Sequence, residues 1–301
     1  MSGLGTAWQR VPILIRALVT GSVVCFSGTI AWSILLGLNV KIAPSVPWSV
    51  PAMVVVLWAY WRYLGGKGWP FSTAETRRAS LRVTSVSRSL WVWALSAGLL
   101  SVASIVNLQL VYARLVRVPV ERVPDFSRYP SITVFCALLM SAAVAGFMEE
   151  AGFRGYMQVP IERRYGLWTA SIVVAVMFGF WHFSHGFVHT VSRLPYYFAI
   201  SITYSAIAYL SNSLLPVVVI HASGDALEFL YVWWRGAPHA RPLLWQSGPD
   251  ESFWIHLGLG VLLGVLAIGA YRKLASVRRL ERHASQADSA CLHSPAKNAA
   301  M

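Results

Sequence analysis

The sequence predicts an all-α bundle of transmembrane helices, about eight spans in all. Hydrophobic residues make up 56% of the chain and charged residues 12%, where about 25% charged is normal for soluble domains. The apolar residues fall in runs of about 20, the length that crosses roughly 30 Å of hydrocarbon as a helix. Fourteen Trp and twelve Tyr, many near run ends, suit the interfacial belts of a membrane protein.

The first span runs from about Ile13 to Leu38, with Arg10 and Arg16 at its start. It has no clear small-residue cleavage site and is long enough to span, so it reads as a helix and not a leader. Span two, about Trp48 to Leu64, opens on Pro47 and Pro51, which the first turn of a helix tolerates. The polar stretch Gly65–Arg88 carries Arg77, Arg78, Arg82 and Arg88. Its second half reads either as a basic amphipathic helix on the membrane surface or as a solvated linker.

Span three covers about Leu90–Leu115, and a proline-rich loop, Val116–Pro130, leads to span four, Ser131 to about Met157. A basic turn, Glu162–Gly166, separates it from span five, Leu167 to about Phe187. Spans six to eight are about Leu194–Leu210, Leu214–Trp234 and Phe253–Tyr271. The basic tail from Leu274 is expected to be disordered beyond Ser285. By organisation the chain divides into N-terminal helices with the basic linker (1–130), a core (131–234), and a last helix with its tail (235–301).

A net charge of +13 invites a nucleic-acid reading. The basic residues lie between apolar runs and not on one soluble face, so nucleic acid is excluded and orientation is the better use of them. With eight spans both termini share a side. Placing that side in the cytoplasm puts most of the 25 Lys and Arg residues there, as expected of a bacterial inner or other plasma membrane protein. Three cysteines, Cys25, Cys136 and Cys291, have no metal or redox spacing. The C-terminus has no lipidation box.

Only twelve acidic residues occur in the chain, and four of them fall in or beside apolar runs: Glu149, Glu150, Asp225 and Glu228. A carboxylate at membrane depth is expensive and marks a functional site by default. Glu150 and Arg154, four apart on a helix, stack on one face as a structural ion pair. Glu149 then points about 100° away and is free for chemistry; the reverse assignment stays open, since Arg154 is only five residues from Glu149. Span five adds His182, His185 and His189, one helical stripe at offsets of three and four. Span seven adds His221 and Asp225, four apart on one face, followed by Glu228. This inventory suits activation of a water by a carboxylate, with imidazoles to position it and stabilise an oxyanion. Glu149, His182 and His221 could equally hold a divalent metal such as zinc; the cofactor is left open.

Taken in order, Glu149-Glu150-Ala151-Gly152-Phe153-Arg154, Phe178-Gly179-Phe180-Trp181-His182 and His221-Ala222-Ser223-Gly224-Asp225 resemble the three motifs of a known family. These are the CAAX prenyl proteases and bacteriocin-processing or immunity proteins, the CPBP or Abi intramembrane proteases. Phe153-Arg154-Gly155-Tyr156 and Arg164-Tyr165-Gly166 also look like the family, and the likeness extends over about Ser131–Trp234. It implies a CAAX-like intramembrane endopeptidase, metallo- or glutamic in type, acting on a membrane-anchored or membrane-inserted peptide in the bilayer. Glu149 would activate water, His182 assist, and His221 and Asp225 support the tetrahedral intermediate. The family also carries Asn at the last position. An ionised Asp225 cannot donate to an oxyanion, so it is protonated, orients His221 or binds a metal. Two other readings stay open: a non-enzymatic immunity or scaffold protein on the same bundle, and a proton-coupled transporter using the buried His and carboxylate pairs.

Overall fold

A computed structural model describes residues 3–119, 124–236 and 241–292, and every element in it is helical. The chain opens with α1 (Gly3–Arg10), α2 (Ile13–Ile42) and α3 (Ser49–Leu64), then α4 (Ala74–Leu81) and α5 (Arg88–Tyr112). The core follows as α6 (Ser131–Glu150), a π-helical turn (Ala151–Met157), α7 (Gln158–Trp181), a 3-10 turn (His182–His185), α8 (Phe187–Ser211) and α9 (Leu215–Arg235). Short α10 (Leu244–Ser247) and long α11 (Glu251–Leu292) complete it.

Among the described residues five helical stretches are long and apolar enough to cross a membrane: Ile13–Ile42, Arg88–Tyr112, Ser131–His185, Leu215–Arg235 and Glu251–Ala284. Their outward faces carry exposed Val23, Phe26, Ile30, Leu262 and Val265, side chains suited to lipid and not to water. The chain is an integral membrane protein. The expected eight crossings go beyond these five. The Ser131–His185 stretch breaks at Gly166, whose φ of 84° and ψ of 168° interrupt α7, so the turn between the expected fourth and fifth spans is one glycine. Residues 162–165, expected in that turn, are helical. Helix α3 has 16 residues, short of the ~20 a perpendicular crossing needs, and α8 carries His189, Arg193 and Pro195.

Two further expectations are corrected. The three histidines do not share one helix: α7 ends at Trp181, and Gly186, with φ 101°, stops the 3-10 turn before α8 begins. Glycine takes that backbone conformation without the Cβ clash other residues suffer. Of the tail expected to be disordered past Ser285, residues up to Leu292 continue α11 as helix, and residues 293–301 lie outside the described ones. The second half of the basic stretch before α5 is helical only in part: α4 ends at Leu81, residues 83–87 are not helical, and α4 docks on the bundle. Arg77 is buried, donates to the Gly68 and Pro70 carbonyls, and lies over the Tyr63 ring.

The basic ends of the helices are joined at one end of the bundle. Arg82 pairs with Glu162, the Leu214 N–H donates to the Arg82 carbonyl, and Tyr156 Oη donates to the Leu64 carbonyl. At the other end Arg114 clamps residues 242–250, and Thr133 Oγ1 donates to Pro44 O. Helix α6 packs on α9, α2 on the π-helical turn, α7 on α8, and α11 runs along α5. The site is assembled where the first three of these pairs meet.

Candidate active site

Two close approaches bring the site elements together. A Cβ on Gly146 would fall 2.7 Å from the Ala222 Cβ, so only glycine lets α6 sit this near α9. A Cβ on Gly152 would fall 2.2 Å from Cys25 Sγ, which presses the π-helical turn against α2. Wider i→i+5 turns of this kind occur mostly as single interruptions of α-helices, frequently at functional sites. Here the turn begins directly after Glu149 and Glu150 and contains Arg154.

Glu150 and Arg154 are both fully buried, with Arg154 Nη1 3.3 Å from Glu150 Oε1. Arg154 Nη2 also donates to Ser201 Oγ at 3.0 Å and to the Ser201 carbonyl. Its guanidinium lies 4.9 Å from the Phe178 ring centre and 5.3 Å from that of Tyr204, a desolvated cation held by aromatic faces. The same Glu150 oxygen is 2.7 Å from His221 Nδ1. An ionised carboxylate only accepts, so in that bond Nδ1 carries the proton. Glu150 therefore ties Arg154 to His221.

His221 Nε2 faces the other two carboxylates, 3.4 Å from Asp225 Oδ2 and 4.0 Å from Glu149 Oε2. Glu149 is 9% exposed. Its Oε1 accepts from Trp181 Nε1 at 3.1 Å, and its Oε2 makes no hydrogen bond among the described residues. Glu149 thus turns away from Arg154 and presents one unengaged oxygen towards His221 and Asp225.

His182 enters from the end of α7. Its Nδ1 is 2.7 Å from the Phe178 carbonyl, so Nδ1 donates and the neutral ring keeps its lone pair on Nε2. The ring stacks on Tyr197 at 4.0 Å and packs against Phe178, which also touches the His221 ring. Thr190 Oγ1 donates to the His182 carbonyl. His185 and His189 follow in a stack, with ring centres at 5.8 and 6.1 Å.

Glu149, Glu150, Arg154, His221 and Asp225 are joined by these contacts, and His182 reaches them through the shared Phe178 ring. Among the described residues no three His, Cys, Asp or Glu side chains are arranged to hold a metal ion. In both rings Nδ1 is engaged, by Glu150 for His221 and by the Phe178 carbonyl for His182, which leaves Nε2 as the nitrogen turned to the site.

Four residues of the site, Trp181, Tyr197, Ser201 and Tyr204, lie outside the set expected from sequence. The last three are buried and lie four and three residues apart on α8, a polar stripe in an apolar helix that periodicity alone could reveal. Trp181 stands inside the second motif, but nothing in its spacing marks it as a donor to Glu149.

Comparison with known families falls on this same core. The model of the Rce1-like type II CAAX prenyl endopeptidases matches residues 131–227. Those residues are a domain of that family. The Rce1-like domain begins where the resemblance was expected to begin, and contains Glu149, Glu150, Arg154, His182, His221 and Asp225. Family membership suggests an intramembrane protease with a protein or peptide substrate. No curated protein and no solved structure matches the chain.

Proposed function

We propose that the protein is an intramembrane endopeptidase in which Glu149 activates water against a peptide bond of a membrane-associated substrate. The observation that carries this reading is the split between the glutamates. Glu150 is committed to Arg154 and His221, whereas Glu149 keeps Oε2 unengaged and aimed towards His221 Nε2.

Glu149 Oε2 takes a proton from water as the oxygen attacks the scissile carbonyl carbon. His221 Nε2–H faces the oxyanion that forms, and Glu149 returns its proton to the leaving amine as the C–N bond breaks. Asp225, with Oδ2 3.4 Å from Nε2, orients the imidazole and keeps a proton on that nitrogen. Glu150 fixes the opposite edge of the ring, as a carboxylate behind a working histidine does. His182 offers Nε2 as an acceptor that steadies the water.

The test is cleavage, by the purified full chain in nanodiscs, of a quenched fluorescent peptide ending in a prenylated CAAX sequence, alongside unprenylated membrane peptides. Cleavage lost in Glu149→Gln supports the reading; no cleavage of any of them by the parent overturns it.

The same reading places both termini in the cytoplasm across eight crossings, with the basic, interlocked end of the bundle cytoplasmic. Reporters fused at Ser285 and in the loop between α9 and α11 should then lie on opposite faces. Finding them on one face sinks this topology.

A further inference from the structure

We propose that Trp181 is a positioning residue that selects which oxygen of Glu149 acts on water. This rests on the general-base reading above and adds to it. The indole Nε1–H donates to Glu149 Oε1 at 3.1 Å. Its ring is fixed from two other elements, by Phe26 of α2 with ring centres 4.5 Å apart and by Phe153 of the π-helical turn at 6.0 Å.

The chemistry of the pair is one-directional. An indole N–H donates and never accepts, so Trp181 takes no part in proton transfer and leaves Oε1 permanently committed. A carboxylate left alone rotates in a broad, two-fold well about its last torsion. Pinning Oε1 removes that freedom and leaves Oε2 as the basic oxygen, 4.0 Å from His221 Nε2. After Oε2 takes the proton, Oε1 is a carbonyl oxygen and still accepts from the indole. The contact therefore persists through the cycle with no reorganisation, the property expected of preorganised catalytic hydrogen bonds.

Trp181 is also the last residue of α7, directly before His182. One helix end thus delivers both the donor that orients the base and the imidazole beside it. A displacement of that end moves Glu149 and His182 together.

The experiment replaces Trp181 with benzothienylalanine, which has the shape of indole with sulfur in place of N–H, in the full-length protein in nanodiscs. Trp181→Phe is made alongside it, and the prenylated CAAX peptide is the probe. Without the N–H the Glu149 carboxylate regains its broad torsional freedom, and misplacement of a reacting group costs up to about a hundredfold, so kcat should fall by about tenfold or more in the isostere. KM should stay within about twofold, because ground-state binding is untouched. A merely structural tryptophan predicts full activity in the isostere and loss only in Trp181→Phe. That outcome, with Glu149→Gln inactive, overturns the positioning role and leaves the general base standing. An inactive parent overturns both.

Discussion

Arg114 and Arg154 are the most deeply buried arginines among the described residues, and the bundle holds them in contrasting ways. Arg114, at the end of α5, donates to the Pro242 carbonyl, Asp250 Oδ2, Ser247 Oγ and the Gly248 carbonyl, all within 2.7–3.0 Å. Its partner Asp250 is about half exposed, so water shares the charge. Arg154 has a fully buried carboxylate at 3.3 Å, one serine and a set of aromatic faces, and its Nε makes no hydrogen bond among the described residues. Arg114 is saturated and closes a loop. Arg154 is under-supplied, and its carboxylate also serves His221. A buried ion pair contributes little net stability after desolvation, so the incomplete one is retained for what it positions.

The sharpest test of this contrast lies beside Arg154. Glu149→Gln should lower the cleavage rate by about 10²–10⁴-fold, the usual weight of a general base, with folded yield by size exclusion unchanged. A rate within tenfold of parent would assign the base elsewhere. Glu150→Gln should behave otherwise and destabilise the protein by about 3–5 kcal/mol, because it strands a buried guanidinium. Thermal unfolding in nanodiscs reads this loss. Arg114→Gln should loosen residues 242–250 without changing the cleavage rate, and a large loss of cleavage there would dissolve the contrast.

Asp225→Asn is the milder perturbation. The amide keeps the shape and can still orient His221, so activity should remain within about tenfold of parent with no response to chelator; loss of a metal's supporting charge typically costs ten- to a hundredfold. Collapse to the level of Glu149→Gln, with zinc restoring rate, would instead make Asp225 a partner of a metal.

The smallest effect concerns Asp250. The Phe253 N–H, and after it the Arg114 guanidinium, holds its carboxyl below the usual carboxylate range. A lowered folded-state pKa stabilises above the unfolded value of about 3.9 and is lost as pH falls through the folded one. Protection of the Leu244 amide, which bonds the Arg114 carbonyl, should therefore be flat from neutral pH to about 4 and decline below it. A decline already at pH 6 would show that another group controls the loop.

Much of the core was legible because its signals are local. Glu150 and Arg154 are paired by four-residue spacing, and the apolar runs reflect the cost of exposing a backbone to lipid, which only helices meet segment by segment. The single helical stripe expected of the three histidines fails for a reason equally local. Gly186 interrupts it, and a glycine inside an apolar run does not announce whether it stops a helix or merely packs within one. Helix α4 was legible as a basic amphipathic segment, but the burial of Arg77 against Tyr63 was not.

By itself the sequence determined an α-helical membrane bundle, the break near Gly166, the pairing of Glu150 with Arg154, and the family of residues 131–227. The bundle, the break and the ion pair follow from composition, turn residues and spacing within one helix, and the family from the likeness of three short motifs, all of which a chain carries before it folds. Only the tertiary structure decided that Glu150 also holds His221 across 71 residues, and that Trp181 holds Glu149 across 32. Those contacts depend on how closely helices cross, set here by Gly146 against Ala222 and Gly152 against Cys25, and no spacing along the chain encodes the distance between two helices.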